Sequence, residues 1–325
     1  GIFIVVLFIL NYLSTRAYGE GEYIFASIKV GMVLLFLVLG VLLITGVIGG
    51  GSPGTSNWTT GDAPFVGGAG SVIAISMIAA FSFQGTELIG IAAGESENPH
   101  KAVPKAIHNV FWRILLFYIG TMVVIGFLLP YTDPNLLQTD VESVAVSPFT
   151  LALDRTGFPA AASLVNFVIL TAVLSGGNSG LYASTRMLYA MAEAGEAPKC
   201  FAKVNKRGVP INALLLTTAF GFLAFLSSLI GDGTAYQWLM QLSGMTGFEV
   251  WLGIAVCHYR FRRAFKAQGL SLDVLPYRAS CFPFGVYLAL ILCTIVIVGQ
   301  NYAAFTGSEV DWGGVISTYI GIPVI

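Results

Sequence analysis

The sequence predicts an all-α integral membrane fold, and three observations carry that expectation. Its 325 residues are 56% hydrophobic and 10% charged, with mean hydropathy +0.80, whereas ordinary soluble domains are roughly 25% charged. Apolar runs long enough to cross a bilayer, about 20 residues each, recur between stretches rich in Gly, Ser, Pro and charge. Lysine and arginine gather in every second connection, the asymmetry that places basic loops in the cytoplasm. A net charge of −1 leaves no basic excess to neutralise phosphates, so a nucleic-acid partner is not expected. Cys200, Cys257, Cys281 and Cys293 are scattered without metal-like spacing and read as small packing residues. Neither a metal nor a cofactor is expected. Gly1 and Ile325 both fall within apolar runs, which predicts one transmembrane domain over 1–325, incomplete at both ends.

Residues 1–13 read as the tail of a helix and Asn11–Gly21 as a polar turn. A second helix is predicted over roughly 24–48, interrupted only by Lys29 and closed by Gly49-Gly50-Gly51. After a Gly-, Ser- and Pro-containing loop comes an apolar segment at 71–93, then a basic stretch and a helix at roughly 109–129. Residues 131–158 form a polar excursion in which Ser147-Pro148-Phe149 can start a short surface helix, proline being tolerated in a first turn. A helix over about 160–192 exceeds one span and is expected to tilt. Helices at about 211–230, 236–259 and 283–303 follow, and another begins at 313. One set of connections carries Arg16, Lys101, Lys105, Lys199, Lys203, Arg260, Arg263 and further basic residues, whereas the alternate set holds Arg155 alone.

The chain is organised around the segment at 71–93. Its middle, Phe81-Ser82-Phe83-Gln84-Gly85-Thr86-Glu87, places a glycine and a carboxyl at membrane depth. Non-helical backbone persists there only where it is buried in protein or lines a wet cavity, and an acid there marks a functional site. Two readings stand. One is a glycine-kinked helix whose neutral Glu87 bonds a neighbouring helix. The other is a discontinuous helix whose free N–H and C=O groups bind a small solute.

Lys29 either snorkels to the interface or is an internal ammonium standing where a coupling cation would sit. In the long helix Asn166, Thr171, Ser175, Asn178, Ser179 and Ser184 form a polar set, beside a small-residue face of Gly176, Gly177 and Gly180 that permits close packing. Asn178 and Ser179 can also face a solute cavity. Glu249 is a second intramembrane acid. Glu95 follows Glu87 by about 12 Å of helix and belongs at the helix end, in a gating or surface role. Asp133 before Pro134 reads as a turn residue, and Asn57-Trp58-Thr59 fits a glycosylation sequon. His100, His108 and His258 fall in or beside connections. No nucleophile–base set, P-loop or metal cluster is present, so catalysis is not expected.

Together these residues resemble the amino acid permeases of the amino acid–polyamine–organocation superfamily, and among them the lysine-specific branch. The resemblance is carried by FSFQGTELIGIAAGE at Phe81–Glu95, FWRILLF at Phe111–Phe117, PYTDP at Pro130–Pro134 and SPFT at Ser147–Thr150. It continues through TAVLSGGNSGLYASTRMLY at Thr171–Tyr189, GVPINA at Gly208–Ala213, SGMTGF at Ser243–Phe248, HYRFRR at His258–Arg263 and GQNY at Gly299–Tyr302. It implies a LeuT-like transporter of two inverted five-helix repeats. This chain would be a truncated fragment running from about the end of helix 4 to the start of helix 12, with the second repeat at approximately 71–260. On that template 71–93 is a discontinuous helix whose carbonyls hold a substrate's α-ammonium. The substrate-binding set is then Phe81, Ser82, Phe83, Gln84, Gly85, Thr86 and Glu87, with Asn178 and Ser179. Glu87 is the natural counter-charge for a cationic side chain. Lys29 corresponds to a lysine of proton-coupled relatives, so Lys29 and Glu87 form the proton-coupling set. Glu95 and Glu249 take gating or accessory places, Glu249 standing where close lysine permeases are apolar.

The implied function is a secondary active transporter that imports L-lysine by proton symport with alternating access. Its place would be a bacterial inner membrane, crossed several times, and its partners the amino acid, protons and the bilayer. Permeases for arginine, γ-aminobutyrate or an aromatic amino acid share these motifs. A membrane sensor that binds an amino acid and signals to a partner protein is the non-transport alternative.

Overall fold

The computed structural model describes residues 1–13, 15–93, 98–136, 147–157, 160–226, 232–275, 277–299, 305, 310, 312–319 and 321–322. Among these residues every regular element is a helix. They pack as two compact units, Gly1–Pro64 with His108–Phe225, and Phe65–Ile107 with Leu226–Ile325. Three of the described helices are long and apolar enough to cross a membrane, at Tyr18–Ile44, Pro99–Leu128 and Ala161–Ala194.

In the first unit α1 (Ile2–Leu13) is followed by α2 (Thr15–Ile44). The expected turn at Asn11–Gly21 is therefore corrected: the chain is helical on both sides of Ser14. Asn11 is satisfied within the protein instead of by water. Asn11 Nδ2 donates to the Leu7 carbonyl at 3.0 Å and to Asn178 Oδ1 at 2.9 Å. Residues Phe65–Ile107 belong to the second unit. The helix then continues through Ile114–Ile119 with a π-helical step, in which the Gly120 N–H bonds the Leu115 carbonyl, into the segment ending at Leu128. Here too the helix starts earlier than expected, at Pro99, so Lys101 and Lys105 lie on helix and not in a loop.

The core of this unit joins Met32 and Phe36 of α2 to Val124, Leu128, Ala152, Leu153 and Val165. Residues Pro148–Asp154 are the short helix anticipated at Ser147-Pro148-Phe149, with proline in the first turn. It is not a surface helix: Thr150, Ala152 and Leu153 are buried, and Phe149 meets Phe36 edge-on at 4.8 Å. At Gly40 an added Cβ would collide with Val124. Overpacking of this kind costs about 1–3 kcal/mol. Gly40→Leu is accordingly expected to lower the midpoint of thermal unfolding in detergent, measured against the unsubstituted protein.

The long helix runs Ala161–Ala194 and ends at Gly195, φ +81°, where the Glu196 N–H bonds the Met191 carbonyl at 2.8 Å. Only glycine takes that left-handed turn without strain. The helix after it, Ile211–Phe220, tightens into a 3-10 stretch at Gly221–Leu226. Of the predicted small-residue face, only Gly177 is a close approach, to Leu7. A Cβ at Gly176 or Gly180 would meet nothing within 4 Å.

In chain order the remaining labels are α3 (Gly68–Phe81), α4 (Leu88–Ala93), α5 (Pro99–Arg113), α6 (Gly120–Leu128), α7 (Pro148–Asp154), α8 (Ala161–Ala194), α9 (Ile211–Phe220), α10 (Asp232–Ala267), α11 (Phe284–Gly299) and α12 (Trp312–Tyr319). The second unit is built on α10, which packs against α3, α11 and α12. Its core is Met245 and Phe248 of α10 with Cys293 and Val296 of α11. The sequence places the end of this helix near 259, but α10 runs to Ala267. Arginine and lysine are good helix formers, and cations are favoured at a helix C-terminus, so the basic run extends the helix.

Candidate functional site

The segment around which the sequence is organised breaks in the second unit. α3 stops at Phe81 and α4 starts at Leu88. Between them the backbone makes turns: the Ser82 N–H bonds the Ala79 carbonyl at 3.0 Å, and the Leu88 N–H bonds that of Gly85 at 3.2 Å. Gly85 has φ +92°, a conformation that any Cβ strains. This is a discontinuous helix and not a kinked one.

Two side chains of the break are held by α10. Ser243 grips Gln84 at both ends of its amide: its carbonyl accepts from Gln84 Nε2, and its hydroxyl donates to Gln84 Oε1 at 3.0 Å. Glu87 folds back over the turn. Its Oε1 accepts from the Gly85 N–H at 3.0 Å, and its Oε2 accepts from the Thr86 hydroxyl at 3.4 Å and the Trp251 indole at 3.2 Å. Three donors converge on the Glu87 carboxyl and fix its orientation. Thr86 and Trp251 also line an open cavity of about 470 Å³ that runs past Ile254, His258 and Phe282.

Sequence reasoning did not find Ser243 or Trp251 as partners. An indole N–H in an apolar span needs an acceptor, but Trp251 stands 164 positions from Glu87, so nothing local names the acid that supplies it. Gly247 belongs to the same contact, because a Cβ there would stand 2.9 Å from Gln84 Cδ. Gly247→Ala is expected to push Gln84 off Ser243. Losing a pair of neutral hydrogen bonds costs about 1–3 kcal/mol, so thermal stability should fall. In Gly247→Ala combined with Gln84→Ala the two losses should be less than additive, which a double-mutant cycle measures.

Ser82 is exposed, and Phe83, Thr86 and Glu87 are half-buried. Phe81 ends α3. Glu95 lies outside the described residues. Glu249 is half-buried on α10, and its Oε2 is shielded from solvent without a hydrogen-bond partner among the described residues.

The other predicted residues lie in the first unit. Lys29 points inward: its Nζ donates to Ser175 Oγ at 2.6 Å and stands 3.7 Å from Glu22 Oε1. Ser175, which is 1% exposed, donates in turn to Glu22. Glu22 escaped sequence reasoning because it stands beside the stretch read as a turn. Only its place on α2, seven residues before Lys29, brings it to Ser175. Asn178 is 1% exposed and takes the amide hydrogen of Asn11, while Tyr18 donates to Ser179 at 3.4 Å and stacks on Tyr182 at 4.1 Å. Asn178 thus ties α1 to α8, and its own Nδ2 has no hydrogen-bond partner among the described residues.

Smaller expectations resolve simply. Asp133 Oδ1 accepts the Asn135 N–H at 2.9 Å, the turn role expected of it. Asn57 of the sequon pattern donates to the Phe127 carbonyl at 2.8 Å, a structural use of its amide. Among the described residues no group of three His, Cys, Asp or Glu side chains could hold a metal ion.

Comparison with known proteins adds to this geometry. Residues 1–325 match the family described as amino acid permease. The chain is 56% identical over 324 residues to the lysine-specific permease LysP of Escherichia coli (strain K12), covering 99% of this chain and 66% of that protein. It is 46% identical over 327 residues to the lysine-specific permease LysP of Lactococcus lactis subsp. cremoris (strain MG1363), covering 99% and 63%. It is also 46% identical over 325 residues to the histidine permease HisP of the same organism, covering 100% and 67%. The chain therefore spans about two thirds of the length of these curated relatives.

Proposed function

Because this chain belongs to the amino acid permease family, we propose that it forms part of a secondary active transporter that imports L-lysine by proton symport with alternating access. The site of action on this reading is a bacterial inner membrane crossed several times, with 71–260 containing the second of two inverted repeats. The observation that carries the proposal is Glu87, an oriented carboxylate in a helix break beside an open cavity. A carboxylate so placed complements an ammonium side chain, and broken helices offer backbone dipole ends to an amino acid's own charges. Two relatives that are lysine-specific permeases support the same substrate.

Within that reading, the backbone and side chains of 81–87 bind substrate, with Asn178 and Ser179 as further substrate-binding residues. Lys29 and Glu87 respond to protons, and Glu22 with Ser175 holds Lys29 in place. Glu95 and Glu249 act at the gate or as accessory acids. Protonation of Glu22 would cancel its attraction for Lys29 and loosen the joint between α2 and α8. That supplies a physical route from proton binding to helix movement.

The test is labelled lysine uptake by the full-length protein in proteoliposomes, with and without an inward proton gradient. Arginine, histidine, γ-aminobutyrate and phenylalanine serve as unlabelled competitors. Uptake that requires the gradient and resists neutral competitors is expected. Uptake displaced chiefly by histidine or by a neutral amino acid would discard the lysine assignment, and gradient-independent uptake would discard symport.

A further inference from the structure

We propose that a cavity of the second unit, beside Arg262 and His258, binds an anionic phospholipid. The cavity has a volume of about 560 Å³ and lies between the start of α5 and the last turns of α10. Val103, Ile107, Phe261 and Leu275 form apolar walls, and Arg262 and His258 supply the polar part.

The polar part is unsatisfied. Nε and Nη1 of Arg262 and Nε2 of His258 are shielded from solvent without a hydrogen-bond partner among the described residues. The guanidinium carbon of Arg262 stands 4.5 Å from the centre of the Phe282 ring. That stacking leaves Nε and Nη1, which lie on different edges of the guanidinium, without an acceptor among the described residues. Leaving such donors unpaired and away from water is costly, and a guanidinium N–H gives a phosphate oxygen a charge-assisted hydrogen bond.

The walls decide what carries the phosphate. An inorganic anion would accept from these donors but leave the apolar lining uncovered. A phospholipid covers both, its headgroup on Arg262 and its acyl chain along Val103, Ile107 and Leu275. Phe261 is 49% exposed and Tyr277 47% exposed at the cavity rim, so an acyl chain can enter from the side. Arg260, Arg263 and Lys266 stand on the same end of α10 and add positive charge. Basic pockets between membrane helices on the cytoplasmic side are where anionic headgroups bind, and the arginine–lysine asymmetry assigns this end to that side. The same α10 carries Ser243 and Trp251, so an occupied cavity would brace the helix that grips the break. The inference uses the membrane reading of the chain and does not depend on which amino acid is carried.

The test is native mass spectrometry of the purified, delipidated full-length protein, titrated separately with phosphatidylglycerol, phosphatidylcholine and inorganic phosphate. The expected result is a retained phosphatidylglycerol adduct in preference to phosphatidylcholine. Arg262→Gln should lower its retention about tenfold, the scale of one charge-assisted contact, while Arg262→Lys should keep part of it. Val103→Trp, which fills the cavity and spares the guanidinium, should lower retention as well. Equal retention of both lipids, retention unchanged by Arg262→Gln or by Val103→Trp, or displacement of the lipid by inorganic phosphate at matched concentration would each overturn the proposal. Lysine uptake is measured in parallel, so a failed transport assignment leaves the lipid result legible.

Discussion

Glu87→Gln is expected to lower lysine uptake by the full-length protein about a hundredfold while leaving the protein folded. Removing one member of a desolvated charge pair costs about 3–5 kcal/mol. Glu87 is only half-buried, which places the loss at the lower end, and each 1.4 kcal/mol is a factor of ten. The fold should survive because the amide keeps one oxygen acceptor. Either the Gly85 N–H or the Trp251 indole loses its partner, a cost of about 1 kcal/mol. Competition assays separate the two contributions: binding of neutral amino acids should weaken far less than binding of lysine. If lysine uptake is unaltered and the protein is intact, recognition of the ammonium lies elsewhere.

The second large effect is expected at Lys29. Lys29→Met leaves Glu22 with Ser175 as its remaining partner on Oε1 and strands a carboxylate inside the first unit. Breaking a buried pair by removing one partner costs about 3–5 kcal/mol. Lys29 and Glu22 are 34% and 23% exposed, so solvent screening reduces this to about 1–3 kcal/mol. Thermal stability should therefore drop, and uptake should lose its dependence on the proton gradient. Adding Glu22→Gln removes the stranded charge and should restore stability without restoring coupling. That split distinguishes a coupling pair from a structural one. A double variant no more stable than Lys29→Met would overturn the pairing.

Much of the fold was legible because its causes are local. The long apolar helix at 160–192 was read to within a few residues of Ala161–Ala194, and the break followed from a glycine and an acid inside a span. Boundaries failed where polar residues had two explanations. Asn11–Gly21 looks like a turn if its polar groups need water, and like helix once Asn178 is found to accept from Asn11. Basic residues after 259 look like a loop by charge, yet α10 carries them to Ala267. Pro148 was correctly placed in a first turn, but burial of Thr150 and Leu153 depends on a core assembled from distant residues.

By itself the sequence determined an all-helical membrane protein of the amino acid permease family, with Glu87 and Lys29 as the charges to be explained. Composition, span length and glycine chemistry act within a few turns of chain, so they can be read without the fold. Which groups answer those charges was decided only by tertiary structure. Trp251 reaches Glu87 across 164 positions and Ser175 reaches Lys29 across 146. No local pattern encodes such pairs, because a hydrogen bond depends on distance in space and the spacing along the chain leaves that distance open until the helices pack.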